Sequence, residues 1–198
     1  MSEYLEYSIE SDALILGERI KGGIFRPSSK TLRWSTISMA LRKWTEYNNL
    51  HATGVLTSYE SDYFIYSPME RVSETSKIPL QVEVLNNIEG KVYILKNDNI
   101  KLPDKFEIYL GALISKGFGK CHLKFINKIE NVKIKKGILN TRIPCEYTDI
   151  FSIKNVIKPV YGYLFETISD TDGVYVKSLF EGSEVAGPIF LLKGGQNG

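Results

Sequence analysis

The sequence predicts an α+β fold in which two helices cover one face of an antiparallel sheet and a β-rich extension follows. Three observations lead to this fold class. Short segments rich in β-branched and aromatic residues recur along the chain, two segments place apolar residues at helical spacing, and a glycine-rich loop precedes a clearly alternating segment. With 198 residues, of which 43% are hydrophobic, the chain is long enough to bury a substantial core.

A strand and a helix are the first predicted elements. Residues 2–11 alternate apolar and acidic side chains and continue into the apolar residues 13–17, which indicates a strand with a break near Ser11 and Asp12. Glycines and Pro27 then predict a long loop. Ser35 is a candidate N-cap for helix one. The apolar residues of this helix share one face at i, i+3, i+4 and i+7, namely Ile37, Ala40, Leu41 and Trp44.

Two hairpins are predicted after helix one. Residues 51–59 and 61–67 are β-branched and aromatic, and the polar residues 60–62 between them predict a turn. Residues 78–85 and 91–96 repeat this pattern across the Asn and Gly residues of 86–90. The second pair therefore predicts an inserted hairpin near residues 79–97 that projects from the domain.

A second helix and a further strand flank the glycine-rich loop. Pro103 and Asp104 are suited to open a helix, helix two, whose apolar residues again follow the i, i+3, i+4, i+7 spacing: Phe106, Tyr109, Leu110 and Leu113. Residues 120–126 then alternate, with Cys121, Leu123 and Phe125 on one face. The resulting order predicts a ferredoxin-like (RRM-like) core over residues 1–127. Residues 128–198 are strand-like and predict a β-rich extension or a second small lobe.

The charge is small in sum but unevenly placed. The formal net charge is +2, yet residues 19–43 hold seven basic side chains and no acidic one, and residues 116–136 hold seven lysines against the single Glu130. Such asymmetry indicates a surface for a polyanion. Basic faces that are merely solvated remain the alternative.

Other features exclude several classes of protein. No apolar run approaches the ~18 residues of a membrane span, and acidic residues near the start do not fit a signal peptide, so we expect a cytoplasmic protein without membrane contact. Cys121 and Cys145 lack the spacing of zinc ligands, which predicts buried thiols and neither a metal nor another cofactor.

The strongest local signal is the glycine pattern around Lys116. A dinucleotide-binding loop requires a strand before the glycines and a helix after them, and the predicted order here is the reverse. A P-loop over residues 22–31 does not fit either, because Ser29 stands where a Gly must precede the Lys. A helix C-cap followed by a tight turn is the plain structural interpretation of these glycines. A glycine loop that exposes backbone N–H groups to a phosphate or ribose is the functional one.

The spacing of this loop resembles the glycine-rich loop of the repeat-associated mysterious protein (RAMP) superfamily of CRISPR-associated proteins. Gly111 fits the second glycine of an opening Gly-apolar-Gly, although Tyr109 occupies the place of the first. Residues 112–116 form the spacer that ends in Lys116, and Gly117, Phe118 and Gly119 fit the closing triplet. Residues 26–44 are similar to the proline, serine and first-helix segment of the family, with Met39 at a common glycine. Residues 159–166 and 173–188 are similar to the C-terminal region of the capping subunits.

This resemblance implies a non-catalytic subunit of the group-five type, which caps a type III or related CRISPR effector complex and binds the 5′ repeat-derived tag of the CRISPR RNA. The implied partners are the CRISPR RNA, the backbone RAMP subunits and a large polymerase-like subunit. Three alternatives stay open. They are a backbone subunit that polymerises along the guide and cleaves target RNA, a CRISPR RNA-processing endoribonuclease, and an RNA-binding module with no link to CRISPR.

The predicted RNA contacts combine the glycine loop with nearby cations. A helix C-terminus has the negative end of the helix dipole, so lysines rather than the dipole must attract the phosphates. The predicted RNA-binding residues are Gly111, Lys116, Gly117, Phe118, Gly119, Lys120, Lys124, Arg26, Lys30 and Arg33.

We expect no catalytic residue. His51, His122 and Asp62 are the candidates that the resemblance brings forward, since processing relatives use a His and some backbone subunits use an Asp. Neither histidine has a recognisable second group for acid–base work in the sequence. Asp62 lies in the predicted turn at residues 60–62, where Asp is favoured for local reasons. The processing enzymes also have the glycine loop close to the C-terminus, whereas 79 residues follow Gly119 here.

Overall fold

The computed structural model describes residues 3–17, 23–44, 50–69, 75–96, 101–167 and 172–194. Over these residues the chain forms twelve β-strands and one α-helix. The strands are β1 (Tyr4–Leu14), β2 (Phe25–Arg26), β3 (Ala52–Tyr66), β4 (Leu80–Leu95), β5 (Lys105–Tyr109), β6 (Lys120–Ile129), β7 (Ile134–Ile138), β8 (Ile143–Pro144), β9 (Asn155–Lys158), β10 (Tyr161–Thr167), β11 (Gly173–Leu179) and β12 (Glu184–Pro188). The helix is α1 (Trp34–Leu41).

The main sheet has six strands with β1 at its centre. β1 pairs antiparallel with β4 on one side and β6 on the other, so that Ile9 lies opposite both Gly90 and Leu123. β3 continues the sheet beyond β4, β5 continues it beyond β6, and the short β2 runs parallel to the end of β4. β1 is continuous through Ser11 and Asp12, so the break predicted there is wrong.

Helix one is confirmed, but its predicted N-cap, Ser35, is wrong. α1 buries Ile37 and Leu41 against the sheet, in a core that includes side chains of β1, β4, β5 and β6. Its N-cap is Arg33, without a side-chain cap hydrogen bond, and Ser35 is a buried residue inside the helix. The α-helical pattern ends at Leu41, and a 3₁₀ turn places Trp44 on the surface.

Helix two is wrong, because residues 105–109 form strand β5. Phe106 and Ile108 are buried and alternate with exposed residues, which is the period of a strand with one wet face. Phe106 lies opposite Leu123 and Ile108 opposite Cys121 in the pairing with β6. A helix over this segment would require both Phe106 and Tyr109 on its buried face, whereas pairing with β6 buries Ile108 and leaves Tyr109 exposed.

Both predicted hairpins are also wrong, since β3 and β4 are long unbroken strands that pair with each other from Ala52↔Ile94 to Tyr66↔Leu80. The turn-like residues 86–90 are accommodated by register shifts near Ser58 rather than by a reversal of the chain. Gly90 serves close strand packing, because a Cβ atom there would lie 2.5 Å from the Val55 carbonyl oxygen.

The C-terminal segment is β-rich, as predicted, and it shares a core with the main sheet. It forms two three-stranded sheets, in the orders β10-β11-β8 and β7-β12-β9. Their apolar side chains pack with Tyr4, Trp34, Val55 and Tyr93 in a second buried cluster. This packing covers part of the sheet face opposite α1, so that face is not wholly open. Within the described residues no helix is long and apolar enough to cross a membrane.

Candidate nucleic-acid interface

The glycine-rich loop joins β5 to β6 and is hydrogen-bonded to the C-terminal end of β1 and the residue that follows it. Gly119 N–H donates to the Ala13 carbonyl (2.8 Å), and Ala112 N–H donates to the Ile15 carbonyl (2.9 Å). Gly111 and Gly119 have φ values of +79° and +85°. A Cβ atom would lie 2.1 Å from the Ile15 carbonyl oxygen at Gly111 and 2.2 Å from the Leu110 carbonyl oxygen at Gly119. Both glycines are therefore required for the packing of the loop itself.

The tip of the loop has a different character. Gly117 has φ +94° at the end of the 3₁₀ helix Ile114–Lys116, and a Cβ atom there would meet nothing within 4 Å. Phe118 is half-buried and packs edge-on against Phe64 of β3 at 5.2 Å between ring centroids. Lys116 is exposed, with its Nζ 5.8 Å from the centre of the Tyr66 ring. This tip, against β3, presents backbone and charge to a ligand.

The predicted residues Lys120 and Lys124 belong to β6 and lie on the face of the sheet opposite α1. Lys120 Nζ is 2.9 Å from Glu107 Oε1, and His122 Nδ1 is 3.3 Å from the same oxygen. The hydrogen bond that Lys120 donates to Glu107, followed by the negative charge of Glu107, raises the pKa of Lys120. Lys124 instead lies directly opposite Lys105 on β5. Like charges at opposite positions repel, so an anion between Lys124 and Lys105 would be favourable.

The cations of the first basic stretch do not converge on the glycine loop as a group. Lys30 pairs with Glu83 of β4 and donates to Ser61 Oγ (3.0 Å), so its charge holds the β3–β4 ribbon. Burial alone would raise the pKa of Glu83, but the hydrogen bonds from Lys30 and the Ser28 N–H lower it. Arg26 lies in β2 at the far end of β4.

Arg33 and Gly111 are the predicted residues that the structure brings together away from the sheet face. Both line a cleft of ≈ 580 Å³ between α1 and the glycine loop. Arg33 is half-buried, and its Nη2 donates to the Gly17 carbonyl at 3.0 Å. The ten predicted residues therefore occupy three places: this cleft, the loop tip with the sheet face, and the β3–β4 side.

A basic groove was missed by the sequence prediction. A groove of ≈ 710 Å³ lies between the main sheet and the β7-β12-β9 sheet, and its floor includes the stacked rings of Tyr93 and Phe190, 4.3 Å apart. Asn127 and Asn131 add amide groups to its wall. Five lysines line it: Lys91, Lys133, Lys135, Lys136 and Lys193. We name this site the lysine groove.

Charge in the lysine groove is weakly compensated. Lys91 Nζ is 2.9 Å from Glu6 Oε1, which is buried. Among the residues that the structure describes, the other four lysines have no acidic partner within ion-pair distance. The basic stretch 116–136 contained the signal for three of them, Lys133, Lys135 and Lys136. Lys91 and Lys193 come from distant parts of the chain and had no local signal.

The histidines are held by neighbours of different kinds. His51 Nδ1 accepts a hydrogen bond from Trp34 Nε1 (3.3 Å), and its ring packs on Tyr147 at 4.9 Å. Burial, followed by the charge of Arg42, lowers the pKa of His51. His122 is exposed beside Glu107. In the described ranges no three His, Cys, Asp or Glu side chains are grouped to hold a metal ion.

Asp62, the third candidate catalytic residue, lies within β3 rather than in a hairpin turn. It is exposed, and its Oδ1 accepts a hydrogen bond from the Tyr63 N–H at 2.7 Å. This local contact is the one typical of an Asp side chain on an exposed strand.

Comparison with solved structures shows a similar fold in a CRISPR effector complex. The chain is similar to one in the cryo-EM structure of the type III-B Cmr-beta bound to cognate target RNA and AMPPnP, with a TM-score of 0.61 and 12% sequence identity over 91% of this chain and 86% of that chain. A chain in the structure of the type III-B Cmr-beta bound to cognate target RNA gives a TM-score of 0.55 with the same identity and coverage. No protein-family model and no curated protein matches the sequence. At 12% identity the likeness establishes the fold.

Proposed function

We propose that this chain is a non-catalytic RNA-binding subunit of a CRISPR effector complex of type III or a related type, with the role of a group-five capping subunit that binds the 5′ repeat-derived tag of the CRISPR RNA. The observation that carries the proposal is the likeness of the fold, over 91% of the chain, to a chain of a type III-B effector. In this proposal its partners are the CRISPR RNA, backbone RAMP subunits and a large polymerase-like subunit, in the cytoplasm.

The strand order supports placing the core in the ferredoxin-like RAMP group. The elements β1, α1, β3, β4 and β6 follow the order of a split βαβ unit that lacks its second helix. In the sheet, β1 lies between β4 and β6. In this chain the second helix is replaced by β5, which extends the sheet at the β6 edge. The glycine loop keeps its place directly before the last strand of the core.

The charges support RNA as the ligand. Five lysines line one groove, which suits contact with several phosphates of one strand, and Lys124 with Lys105 adds positive charge on the face of the sheet opposite α1. Each phosphate contact releases counterions, so binding depends on salt. The exposed Asn127 and Asn131 beside the lysines suit unpaired RNA, whose bases and 2′-hydroxyls are accessible.

The surroundings of the histidines support a role without catalysis. General acid–base cleavage requires a donor and an acceptor on opposite sides of the scissile phosphate. His51 is partly buried between Trp34 and Tyr147, and His122 faces the carboxylate of Glu107 on an open surface. Neither arrangement provides two groups across a phosphate.

A backbone subunit is the second candidate, and one observation favours it. The outer part of the β3–β4 ribbon and the residues beside it expose large apolar side chains, including Tyr63, Ile65 and Ile78. Such a surface suits a neighbouring protein, and a subunit that polymerises needs one.

Purification of the assembled complex from co-expressed subunits tests the proposal. We expect one copy of this chain per complex and a bound RNA that begins with repeat-derived sequence. Several copies per complex would instead favour the backbone subunit. Cleavage of repeat RNA by the isolated chain, or a complex that assembles without the chain and retains its RNA unchanged, would contradict the proposal.

A further inference from the structure

The β10–β11 ribbon presents a face of exposed tyrosines. Tyr161, Tyr163 and Tyr175 are 51%, 67% and 57% exposed. Tyr163 lies opposite Lys177, and Tyr175 lies opposite Phe165, so these side chains share one face of the two strands. We name Tyr161, Tyr163, Tyr175 and Lys177 the tyrosine platform.

One cation, Lys177, lies among the rings of this platform. Lys177 Nζ is 4.0 Å from the centre of the Tyr161 ring, and the Phe165 ring supports Tyr175 edge-on at 5.4 Å. Within residues 161–167 and 173–179, the charged side chain on this face is Lys177, and no acidic side chain lies there. Glu166 lies on the opposite face of the ribbon, across from Val174. A face of aromatic rings with positive charge suits a ligand that has both flat rings and negative charge.

The platform is continuous with the cleft at the glycine loop. A pocket of ≈ 290 Å³ is lined by Tyr163, Phe165, Tyr175 and Phe180 together with Arg142, Arg33 and Gly17. Arg33 and Gly17 also line the cleft of ≈ 580 Å³ that contains Gly111. Arg33 thus lies between the two concavities, and a chain bound in the cleft can pass it to reach the tyrosines.

We propose that the tyrosine platform stacks unpaired bases of the RNA that passes the glycine loop, as a second contact beside the phosphate contacts of the lysines. The inference rests on the proposed function. Side chains two residues apart on a strand are separated by ~6.7 Å. This is about twice the ~3.4 Å rise per nucleotide of a nucleic-acid strand, so the spacing of Tyr161 and Tyr163 along β10 suits rings on which bases stack. Stacking on tyrosine is tolerant of base identity, so the platform holds any sequence.

Binding of fluorescently labelled 12-nucleotide single-stranded RNA to the full chain tests the platform. The test variant is Tyr163→Thr combined with Tyr175→Thr, because Thr preserves the β-branched character that strands favour. Tyr163→Phe retains the ring, and Tyr63→Thr removes an exposed tyrosine from β3, outside the platform. Thermal unfolding of each variant identifies any loss of folding.

We expect the double Thr variant to bind RNA about tenfold or more weakly, with an unchanged dependence of affinity on salt, because stacking rather than a phosphate contact is lost. Tyr163→Phe and Tyr63→Thr stay within about twofold of the wild type. A 2-aminopurine base in the RNA should be quenched by the wild-type chain and recover its fluorescence in the double variant.

The possible failures are distinguishable. Wild-type affinity and quenching in a folded double variant would overturn the platform and leave the proposed function intact. The same result together with loss of the partner subunits from the purified complex would assign the tyrosines to a protein interface instead. Absence of RNA binding by the wild-type chain, both alone and in the complex, would overturn the proposed function and the platform with it.

Discussion

Leu110 and Gly119 close the glycine-rich loop, with the Leu110 N–H donating to the Gly119 carbonyl at 2.8 Å. A Cβ atom added to Gly119 would lie 2.2 Å from the Leu110 carbonyl oxygen. No side chain fits in this space, and the positive φ of Gly119 adds a conformational cost for any other residue.

Gly117 and Gly119, the two glycines of the closing triplet, should therefore lose different amounts of stability on substitution. We expect Gly119→Ala to lower the free energy of unfolding by at least about 3 kcal/mol, because a backbone clash adds to the left-handed φ. Gly117→Ala should cost only about 1 kcal/mol, since its Cβ atom meets open space. Urea denaturation of the two variants measures both values, and equal losses would show that the loop is not held as described.

The glycine loop was found from its sequence because its signal is local. Spacing of Gly111, Gly117 and Gly119 along the chain is enough to identify it, and the alternation of Cys121 and Leu123 correctly predicted β6. The segment before the loop was ambiguous, since residues 105–110 satisfy both helical and alternating patterns. Pairing with β6 favours the strand over the helix. This tertiary contact cannot be predicted from the spacing of apolar residues along the chain.

The lysine groove illustrates what local patterns miss. Lys91 belongs to β4, Lys135 to β7, and Lys193 follows β12, so the groove exists only after two sheets have packed together. Similarly, residues 86–90 carry the composition of a turn, but pairing with β3 keeps them in one strand. Long-range strand pairing decided both outcomes.

Removal of two groove lysines should weaken RNA binding in a salt-dependent way. We expect Lys133→Ala with Lys135→Ala to reduce the slope of log affinity against log salt by about 1.4, or ~0.7 for each lost phosphate contact. Lys158→Ala is the control, because Lys158 is an exposed lysine outside the groove beside Glu184. Fluorescence titrations at several salt concentrations measure the slopes, and an equal change in the control would mean that only net charge matters.

Glu107 should oppose RNA binding on the sheet face. The substitution Glu107→Gln removes the negative charge beside Lys120 and His122, so we expect a gain in RNA affinity of about two- to fivefold at low salt. Glu184→Gln provides the same charge change elsewhere on the surface. A loss of affinity in Glu107→Gln, with the control unchanged, would indicate that Glu107 positions Lys120 for the ligand.

The histidines should be dispensable for any RNA cleavage by the assembled complex. We expect His122→Ala and His51→Gln to leave the cleavage rate within about threefold of the wild type, whereas loss of a general acid or base costs roughly 10²–10⁴-fold. Single-turnover cleavage of labelled target RNA measures the rates. A drop of a hundredfold in a variant that still assembles would assign a catalytic role to this chain.

The buried carboxyl group of Glu166 should give the free energy of unfolding an unusual dependence on pH. Burial raises its pKa to about 7, and the hydrogen bond from Ser35 and the charges of Arg33 and Arg42 offset only part of this effect. Its Oε1 is buried and has no hydrogen-bond partner among the described residues. The ionised carboxylate is therefore poorly accommodated in the folded chain.

The sign follows from proton binding. Between the unfolded pKa near 4.5 and the folded pKa of about 7, the folded state binds more protons at this site than the unfolded state. Stability from this group is complete below pH 4.5 and is lost as pH rises through 7. We expect Glu166→Gln to raise the free energy of unfolding on the order of 1 kcal/mol above that of the wild type at pH 8. At pH 5 we expect the two free energies of unfolding to be equal. Urea denaturation at the two pH values measures the difference, and an equal effect of the substitution at both would show that Glu166 is ionised throughout.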